Sequence, residues 1–353
     1  MERLFMKGCE AVAEAAIRAG CRFYAGYPIT PQSEIPEYFA KVLPKIGGTF
    51  IQGESEIASI NMVLGAARSG CRSMTSSSGP GLSLKAETLS FMAGTHVPAV
   101  ILNAMRGGPA VGSIQPAQSD YFQATKAAGH GGFRMIVLAP ATVQEAAELT
   151  YKAFDYAERD LNPVLVIIDG SLASIMEPVT LPEAKEPNIE KEWAIKGRSG
   201  KARRIISQGD LAATNIEKMN KEAAEMYEKW QANDVMVEEY LLDDAELVLV
   251  SYGTSSRICR GAIDELRDEG YKVGMIRPIT VSPFPYATFD KLDPSRVKNV
   301  LAVEMTIPAQ MVFDVKVALN GRIPVSSYSR SGGVLVKNDE IKDKVKSLYV
   351  RNE

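Results

Sequence analysis

Apolar and polar residues recur along most of this chain with two periods, which together predict an α/β fold. Short apolar runs typical of strands buried on both faces are followed by longer segments whose apolar residues recur at helical spacing. In the first half, the runs predict strands at Cys21–Ala25, Thr49–Gln52, Arg72–Ser76, Pro98–Ala104, Arg134–Ala139 and Pro163–Asp169. Helices are predicted between them, at Gly8–Gly20, Gln32–Val42, Glu54–Arg68, from the turn Ser77–Gly81 to about Met92, and at Thr142–Arg159. Strands that alternate with helices predict a doubly wound, mostly parallel sheet.

The alternation breaks off and later resumes, which predicts two domains. Residues 177–245 contain a linker rich in Pro and Glu, a heavily charged stretch and a polar helix at Asn215–Asp234. After residue 246, strands are predicted at Leu247–Ser251, Lys272–Arg277, Asn299–Glu304 and Ile323–Tyr328, and helices at Ser255–Glu269, Ala309–Leu319 and Asp339–Arg351. A chain of 353 residues is also longer than a single hydrophobic core usually supports, which favours two domains. The predicted units are 1–176, 177–245 and 246–353.

Composition and charge exclude several classes of function. The chain is 46% hydrophobic and 24% charged, with a net charge of −3. This balance gives no general attraction to nucleic acid or to an anionic membrane surface. The first twenty residues carry charges of both signs, and no apolar run approaches the ~20 residues of a membrane span. We therefore expect a cytoplasmic protein that binds neither nucleic acid nor membrane.

Cysteine and histidine usage limits the chemistry further. The four cysteines match neither a disulfide framework nor a C-x-x-C site, so we expect small buried thiols in a reducing compartment. With two histidines in the chain, neither a zinc site nor a Ser-His-Asp arrangement is expected. No metal ligand of this chain is predicted. Chemistry must come from carboxylates, hydroxyls, arginine or a cofactor.

The loop Tyr27-Pro28-Ile29-Thr30-Pro31 is the first candidate site. Its two prolines fix their own φ angles and restrict the residues before them, so the loop is extended and stiff. It leaves the carboxyl end of a predicted strand, where α/β proteins place ligands. Thr30 would present a hydroxyl group there. The alternative is a proline-rich start of a helix without further function.

Two carboxylates, Glu54 and Glu56, begin a predicted helix after the strand Thr49–Gln52. Carboxylates in a first helical turn are favoured by the helix dipole, which would explain both without a function. Glu56, however, opens a strongly apolar helix. A carboxyl group buried beside an apolar surface has a raised pKa and can hold or share a proton. Glu56 is therefore a candidate catalytic residue.

Arg106 follows the apolar strand Pro98–Ala104 and precedes two glycines. A guanidinium group at the carboxyl end of a strand suits a substrate carboxylate, which it can hold with two hydrogen bonds. An ion pair with a nearby Asp or Glu is the equally open alternative.

Three further features are weaker. The turn Ser76–Gly81 at the start of a helix could hold an anion or merely reverse the chain, since it lacks both a P-loop and a G-x-G-x-x-G spacing. The basic segment 201–204 could bind phosphate, but a solvated surface segment is favoured. His130, within a Gly-His-Gly-Gly loop, is a minor ligand candidate.

Taken together, three motifs carry a resemblance: Tyr27-Pro28-Ile29-Thr30-Pro31, Glu54-Ser55-Glu56 and Met105-Arg106-Gly107-Gly108-Pro109. The chain resembles the α subunit of 2-oxoacid:ferredoxin oxidoreductases of the 2-oxoisovalerate or 2-oxoglutarate type. The resemblance covers nearly the whole chain, including the Gly-His-Gly-Gly turn, Glu304-Met305 and Ser331-Gly332-Gly333.

The resemblance implies an enzyme of anaerobic metabolism that uses thiamine diphosphate to decarboxylate a 2-oxoacid to an acyl-coenzyme A, with electrons passed to ferredoxin. Residues 1–176 would be the domain that binds the aminopyrimidine ring, and 246–353 an α/β domain like the carboxyl-terminal domain of transketolase. By resemblance, Glu56 binds ring nitrogen N1′ as the catalytic acid, while Thr30 and Arg106 orient the 2-oxoacid. The implied cofactor contacts are Tyr27, Pro28, Ile29, Thr30, Glu56, Ser78 and Gly79.

Missing motifs predict what partners must supply. The chain has no Gly-Asp-Gly motif followed by an asparagine for Mg²⁺ and diphosphate, and no cysteine set for an iron–sulfur cluster. The resemblance therefore implies a β subunit that brings the diphosphate and Mg²⁺ site, and cluster-bearing partners that pass electrons to ferredoxin. Two alternatives stay open: the β subunit of a lipoamide-linked 2-oxoacid dehydrogenase, and a non-catalytic α/β scaffold subunit.

Overall fold

The computed structural model describes residues 3–188, 190–197, 206–207 and 209–350. The basic segment 201–204 lies outside the described residues. The strands are β1 (Arg3–Lys7), β2 (Phe23–Gly26), β3 (Thr49–Gln52), β4 (Ser73–Ser77), β5 (Val100–Gly107), β6 (Ser113–Pro116), β7 (Ile136–Leu138), β8 (Val164–Asp169), β9 (Met176–Thr180), β10 (Val237–Tyr240), β11 (Leu247–Val250), β12 (Val273–Pro278), β13 (Thr280–Ser282), β14 (Asn299–Glu304) and β15 (Val325–Ser329). The α-helices are α1 (Gly8–Arg18), α2 (Glu34–Val42), α3 (Glu56–Arg68), α4 (Pro80–Gly94), α5 (Tyr121–Thr125), α6 (Val143–Asp160), α7 (Gly170–Ser174), α8 (Ala213–Asn233), α9 (Gly253–Asp268), α10 (Val312–Leu319) and α11 (Asn338–Val350).

The larger sheet is the doubly wound sheet that the sequence predicts. Its strand order is β13-β7-β8-β5-β4-β2-β3, with β6 paired to β5, and the six strands from β7 to β3 are parallel. The central strand β5 is buried along its whole length. Val100 and Leu102 pack into the core beneath α1, α2 and α6, whereas Ile101 and Met105 pack into the core beneath α3 and α4. Side chains that alternate between two apolar cores explain why this strand is a continuous apolar run.

The smaller sheet has the order β10-β12-β11-β14-β15, and only its edge strand β10 is antiparallel. Helices α9 and α11 pack on one face with their own apolar core. Helix α10 packs on the other face and shares a core with residues of the larger sheet. The two α/β units are therefore joined by buried apolar contact.

Helix α8 connects the two units. Trp230 is buried and donates its indole N–H to Asp160 of α6 across 2.8 Å. Gln231 donates to the carbonyl oxygen of Phe284, in the segment that follows β13, across 2.8 Å. The predicted polar helix thus contacts both parts of the molecule. No helix in the described ranges is both long enough and apolar enough to cross a membrane.

Several local predictions are confirmed, and two short strands do not follow the predicted division of the chain. Strands β3 and β14 have the predicted bounds, and Thr142 caps α6 by accepting a hydrogen bond from the Glu145 N–H at 3.1 Å. The predicted linker from residue 177 instead begins inside β9, which pairs with β1 at the amino terminus. Strand β13 lies within 246–353 but pairs with β7 of the larger sheet. Both are short antiparallel strands whose partners are distant in sequence, so local periodicity does not reveal them.

Candidate active site

The carboxyl ends of β2, β3, β4 and β5 lie at one edge of the larger sheet, because these strands are neighbours and parallel. The loop 27–33, the Glu54-Ser55-Glu56 segment, the turn 78–79 and Arg106 each leave one of these ends. The fold therefore brings the four predicted site segments to the same edge.

The loop after β2 is held down by a buried hydrogen-bond chain. Gln32 is completely buried and donates from Nε2 to the carbonyl oxygen of Tyr27 at 3.4 Å. Its Oε1 accepts a short hydrogen bond from the Ser76 hydroxyl on β4, which also bonds to the Tyr24 hydroxyl at 2.6 Å. These hydrogen bonds hold the inner side of the loop and leave its outer surface open to solvent. Tyr27, Pro28 and Thr30 are exposed, and Ile29 is half-buried.

Arg106 is buried at the end of β5 and joins two loops. Its Nη1 donates to the carbonyl oxygen of Thr30 and its Nη2 to that of Val111, each at 2.9 Å. Nε is buried and has no hydrogen-bond partner among the described residues. The ion pair considered from the sequence does not form with any described carboxylate. Asp120 is the nearby acid: burial raises its pKa, and the positive charge of Arg106 partly offsets that rise.

The turn between β4 and α4 lies beside Arg106. Gly79 has a φ of +37°, and a Cβ there would meet only the Arg106 Cγ, at 3.8 Å. The Gly79 N–H donates to Asn103 Oδ1 at 3.3 Å, and Asn103 donates in turn to Asp120 at 2.9 Å. The turn is thus fixed to β5 through a polar side chain that the sequence analysis did not single out.

Glu56 lies on the other side of the same turn. Ser55 caps α3 by accepting a hydrogen bond from the Ala58 N–H at 3.1 Å, so Glu56 is the first residue of the helix. Its side chain is buried, whereas Glu54 is exposed. A Cβ added to Gly81 would lie 2.5 Å from Glu56 Oε1 and 2.1 Å from Ser77 Oγ. The Glu56 carboxyl group therefore lies directly against the turn. Burial thus distinguishes Glu56 from Glu54, which lies two residues before it in the sequence.

These residues fit the aminopyrimidine end of a thiamine cofactor. Three buried polar atoms around the turn have no hydrogen-bond partner in the described part of the chain: Ser77 Oγ, Ser78 Oγ and Arg106 Nε. Buried polar groups are rarely left unpaired, so unpaired atoms gathered at one place are suited to pairing with a bound ligand. No group of three His, Cys, Asp or Glu side chains within the described ranges could hold a metal ion.

The second α/β unit covers one side of this edge. A Cβ at Gly107 would lie 3.1 Å from the carbonyl carbon of Gly332, and one at Gly333 would lie 2.1 Å from Gln115 Cβ. The segment Ser331-Gly332-Gly333 therefore packs on the loop that follows Arg106, and only glycines permit this approach. Glu304 instead caps the start of α10, where it accepts three backbone hydrogen bonds.

His130 lies far from this group. Its carbonyl oxygen accepts a hydrogen bond from Ser90 at 2.7 Å, and its ring contacts that of Phe91 at 5.9 Å. Both partners are near the carboxyl end of α4, whereas Gly79 and Gly81 are at its amino end. His130 is therefore at the opposite edge of the sheet from Thr30 and Arg106.

Sequence reasoning missed several polar residues of the site. Strand β4 is completely buried although four of its five residues are Ser or Thr, in the sequence Ser73-Met74-Thr75-Ser76-Ser77. A buried strand rich in hydroxyl groups is an available signal, because hydroxyls in a core require partners. Lys85 on α4 was missed as well, because a single lysine in a helix that also carries Glu87 gives no local sign of burial.

Comparisons with known proteins agree with this geometry. Residues 14–240 match the family described as pyruvate flavodoxin/ferredoxin oxidoreductase, thiamine diphosphate-binding, and residues 245–341 match core domain II of pyruvate:ferredoxin oxidoreductase. The chain belongs to the 2-oxoacid:ferredoxin oxidoreductase family.

Individual relatives define the branch more closely. The chain is 43% identical to the ketoisovalerate oxidoreductase subunit VorB of Methanothermobacter thermautotrophicus, over 99% of this chain and 98% of that protein. It is 36% identical to the 2-oxoglutarate synthase subunit KorA of Methanocaldococcus jannaschii, over 96% and 97%. A 2-oxoglutarate:ferredoxin oxidoreductase from Magnetococcus marinus, solved with 2-oxoglutarate, coenzyme A and succinyl-CoA, superposes with a TM-score of 0.89 at 28% identity. The match covers 98% of this chain and 65% of that one.

Proposed function

We propose that this chain is the α subunit of a 2-oxoacid:ferredoxin oxidoreductase and supplies half of its thiamine diphosphate site. The observation that carries the proposal is the arrangement of Glu56 and Arg106 on the two sides of the Ser77–Gly81 turn, with unpaired buried polar atoms between them. When bound, thiamine diphosphate supplies the nucleophilic carbon with which a 2-oxoacid is decarboxylated.

Glu56 is proposed to hold and release the proton at the ring nitrogen of the cofactor. Its carboxyl group is buried at the first turn of α3 and accepts no hydrogen bond from the described residues. The group is therefore available to a ligand. A carboxyl group screened from water exchanges a proton with a hydrogen-bonded nitrogen more effectively than an exposed one does.

Ser78 and Gly79 are proposed to line the ring together with Tyr27, Pro28, Ile29 and Thr30. The Ser78 hydroxyl is buried and has no partner among the described residues, and the open space at Gly79 Cα lets a flat ring approach the backbone. Arg106 is proposed to bind the substrate carboxylate through Nε and the remaining N–H groups, since two of its N–H groups already hold backbone carbonyls. Thr30 is proposed to orient the substrate carbonyl with its exposed hydroxyl.

The partner subunit is proposed to dock over this edge. Large apolar side chains surround it and are exposed to solvent: Ile57 is 50% exposed, Leu84 49%, Val111 76% and Ile114 58%. An apolar rim around an incomplete polar site is typical of an interface that closes the site. A β subunit would bring the diphosphate and Mg²⁺ end of the cofactor, and cluster-bearing chains would pass electrons to ferredoxin. An obligate interface of this kind buries on the order of 2,000 Å² or more.

A branched-chain 2-oxoacid such as 2-oxoisovalerate is the proposed substrate. The loop after Arg106, residues 107–115, carries no Lys or Arg, and its exposed large apolar side chains are Val111 and Ile114. An apolar loop favours an aliphatic side chain over the second carboxylate of 2-oxoglutarate, which requires an additional cation. The 2-oxoglutarate reaction is the second candidate, supported by the KorA relatives. The product is an acyl-coenzyme A, and the proposed location is the cytoplasm, within anaerobic metabolism.

The test is to co-purify the chain with its partner subunits and to measure reduction of ferredoxin or viologen. The reaction should require thiamine diphosphate, coenzyme A and a 2-oxoacid, with 2-oxoisovalerate preferred over 2-oxoglutarate, and the chain alone should be inactive. Transfer to lipoamide instead of ferredoxin would support the dehydrogenase alternative. A complex whose activity does not depend on Glu56 would support a scaffold role for this chain.

A further inference from the structure

Lys85 is a lysine inside a protein core. It lies on α4, its side chain is completely buried, and its ammonium group donates to the Thr75 hydroxyl on β4 at 2.8 Å. This is the hydrogen bond that the described residues provide for a group with three donors. Lysine is almost never fully buried without a charged partner, so its position requires an explanation.

The side chain of Lys85 lies on the face of α4 that meets Glu56. Gly81 precedes Lys85 by one helical turn and therefore shares that face. The Gly81 Cα is where the Glu56 carboxyl and the Ser77 hydroxyl come together. Thr75 and Ser77 are two residues apart on β4 and point to the same side of the strand. Lys85 thus donates to one hydroxyl of β4, and the Glu56 carboxyl lies near the next hydroxyl on the same side of that strand, that of Ser77.

We propose that Lys85 is a positioning residue that controls whether Glu56 carries its proton. The inference rests on the proposed function of Glu56 and deepens it, because it names the group that regulates that proton.

The charges around Lys85 support this role. Glu56 on α3 is the charged group that acts on it; β4 presents only the neutral hydroxyls of Thr75 and Ser77, and Glu87 on α4 is exposed. Burial lowers the pKa of Lys85 to about 7, an effect that the Glu56 charge opposes. A proton that moves from the Glu56 carboxyl to the Lys85 amine leaves the net charge of the buried site unchanged. The ammonium form then stabilises the carboxylate, and the neutral amine favours the protonated acid.

The experiment measures the Glu56 proton directly. The assembled complex without thiamine diphosphate is titrated by infrared spectroscopy, and the spectrum of the E56Q complex is subtracted to isolate the Glu56 carboxyl band. In the K85M complex the protonated band should persist to a pH about one unit higher than in the wild type, because two charges in a partly buried site interact by that order. The acidic limb of the activity profile should shift in the same direction.

Two further variants keep the test decisive. K85R retains the positive charge and should keep the titration of Glu56 within a few tenths of a pH unit of the wild type. T75V removes the hydroxyl partner of Lys85 but not its charge, and should shift the titration less than K85M does. If K85M does not assemble, an uncharged K85Q variant takes its place.

The outcomes separate the two proposals. An unchanged Glu56 band in both uncharged variants would overturn the role of Lys85, while a defective E56Q complex would still support the proposed function. Normal turnover in E56Q would instead reject the role of Glu56 itself.

Discussion

Arg106 donates a hydrogen bond from Nη1 to the carbonyl oxygen of Thr30 across 2.9 Å, which ties the end of β5 to the loop after β2. These two residues are 76 positions apart in sequence, and the sequence predicts both as substrate contacts. The bond uses the backbone of Thr30 and leaves its hydroxyl free. Arg106 therefore has one observed task, shaping the loop, and one proposed task, binding the substrate through an Nε that has no partner among the described residues.

Replacing Arg106 tests both tasks. R106A should raise the KM for the 2-oxoacid tenfold or more and change thiamine diphosphate affinity much less, because each charged hydrogen bond contributes about 1.5–3 kcal/mol. R106K retains the charge but loses the planar fork, so it should recover only part of the substrate affinity. Steady-state kinetics of the assembled complex, with cofactor binding measured separately, give both values. Unchanged substrate kinetics in R106A would exclude Arg106 from substrate binding.

The two neighbouring glutamates offer a matched pair of variants. E56Q should lower the turnover rate by about 10²–10⁴ while the complex assembles normally, because it removes a positioned acid–base group. E54Q removes a carboxylate charge from an exposed side chain two residues before Glu56. It should leave the rate nearly unchanged. Turnover numbers and size-exclusion profiles of both complexes provide the comparison. Equal rates would show that the proton follows another route.

The sequence predicted the sheet and the candidate residues better than it predicted the contacts among them. Buried parallel strands such as β5 and β8 are strong local signals, because they are apolar along their whole length. The carboxyl ends of parallel strands share one edge of a sheet, so Thr30 and Arg106 were expected at the same edge. Their direct contact depends on the strand order β5-β4-β2, which local periodicity does not reveal.

Other features depend on contacts between distant parts of the chain. The pairing of β1 with β9, and that of β13 with β7, joins short segments with little periodicity of their own. The burial of Lys85 is equally invisible locally, because one lysine in a helix is normally solvated. The sequence could also not show that Arg106 donates to two backbone carbonyl groups and forms no ion pair with a described carboxylate.

Gly81 is a position where a single methyl group should disturb the site. In G81A the new Cβ would lie within 2.5 Å of Glu56 Oε1 and 2.1 Å of Ser77 Oγ, so the carboxyl group must move. We expect a loss of turnover of about tenfold or more, since small displacements of a catalytic group have large effects. G65A on α3 is the control, because no atom lies within 4 Å of its added Cβ. That variant should retain activity and gain up to about 1 kcal/mol of stability. Comparable activity in both variants would mean that Glu56 does not need its observed position.

The last prediction concerns stability against pH, and it follows from Lys85 without any cofactor. Burial lowers the pKa of Lys85 to about 7 in the folded chain, whereas an unfolded lysine titrates near 10.5. Between these values the unfolded state binds more protons, so stability should rise with pH, with a slope of at most about 1.4 kcal/mol per pH unit. Below pH 7 the ammonium is present in both states, and the full penalty of burying it remains.

K85M has no such group and should lack this component of the slope. The difference in Tm between the wild-type and K85M complexes, measured by calorimetry from pH 6 to pH 10, should therefore move in favour of the wild type as the pH rises above 7. An exposed lysine provides the control: K221M on α8 removes the same charge from a solvated position and should give a Tm difference that is nearly independent of pH over the lower part of this range. A Tm difference for K85M that is equally flat would mean that Lys85 keeps its proton in the folded chain. The amine could then not exchange a proton with Glu56 near neutral pH.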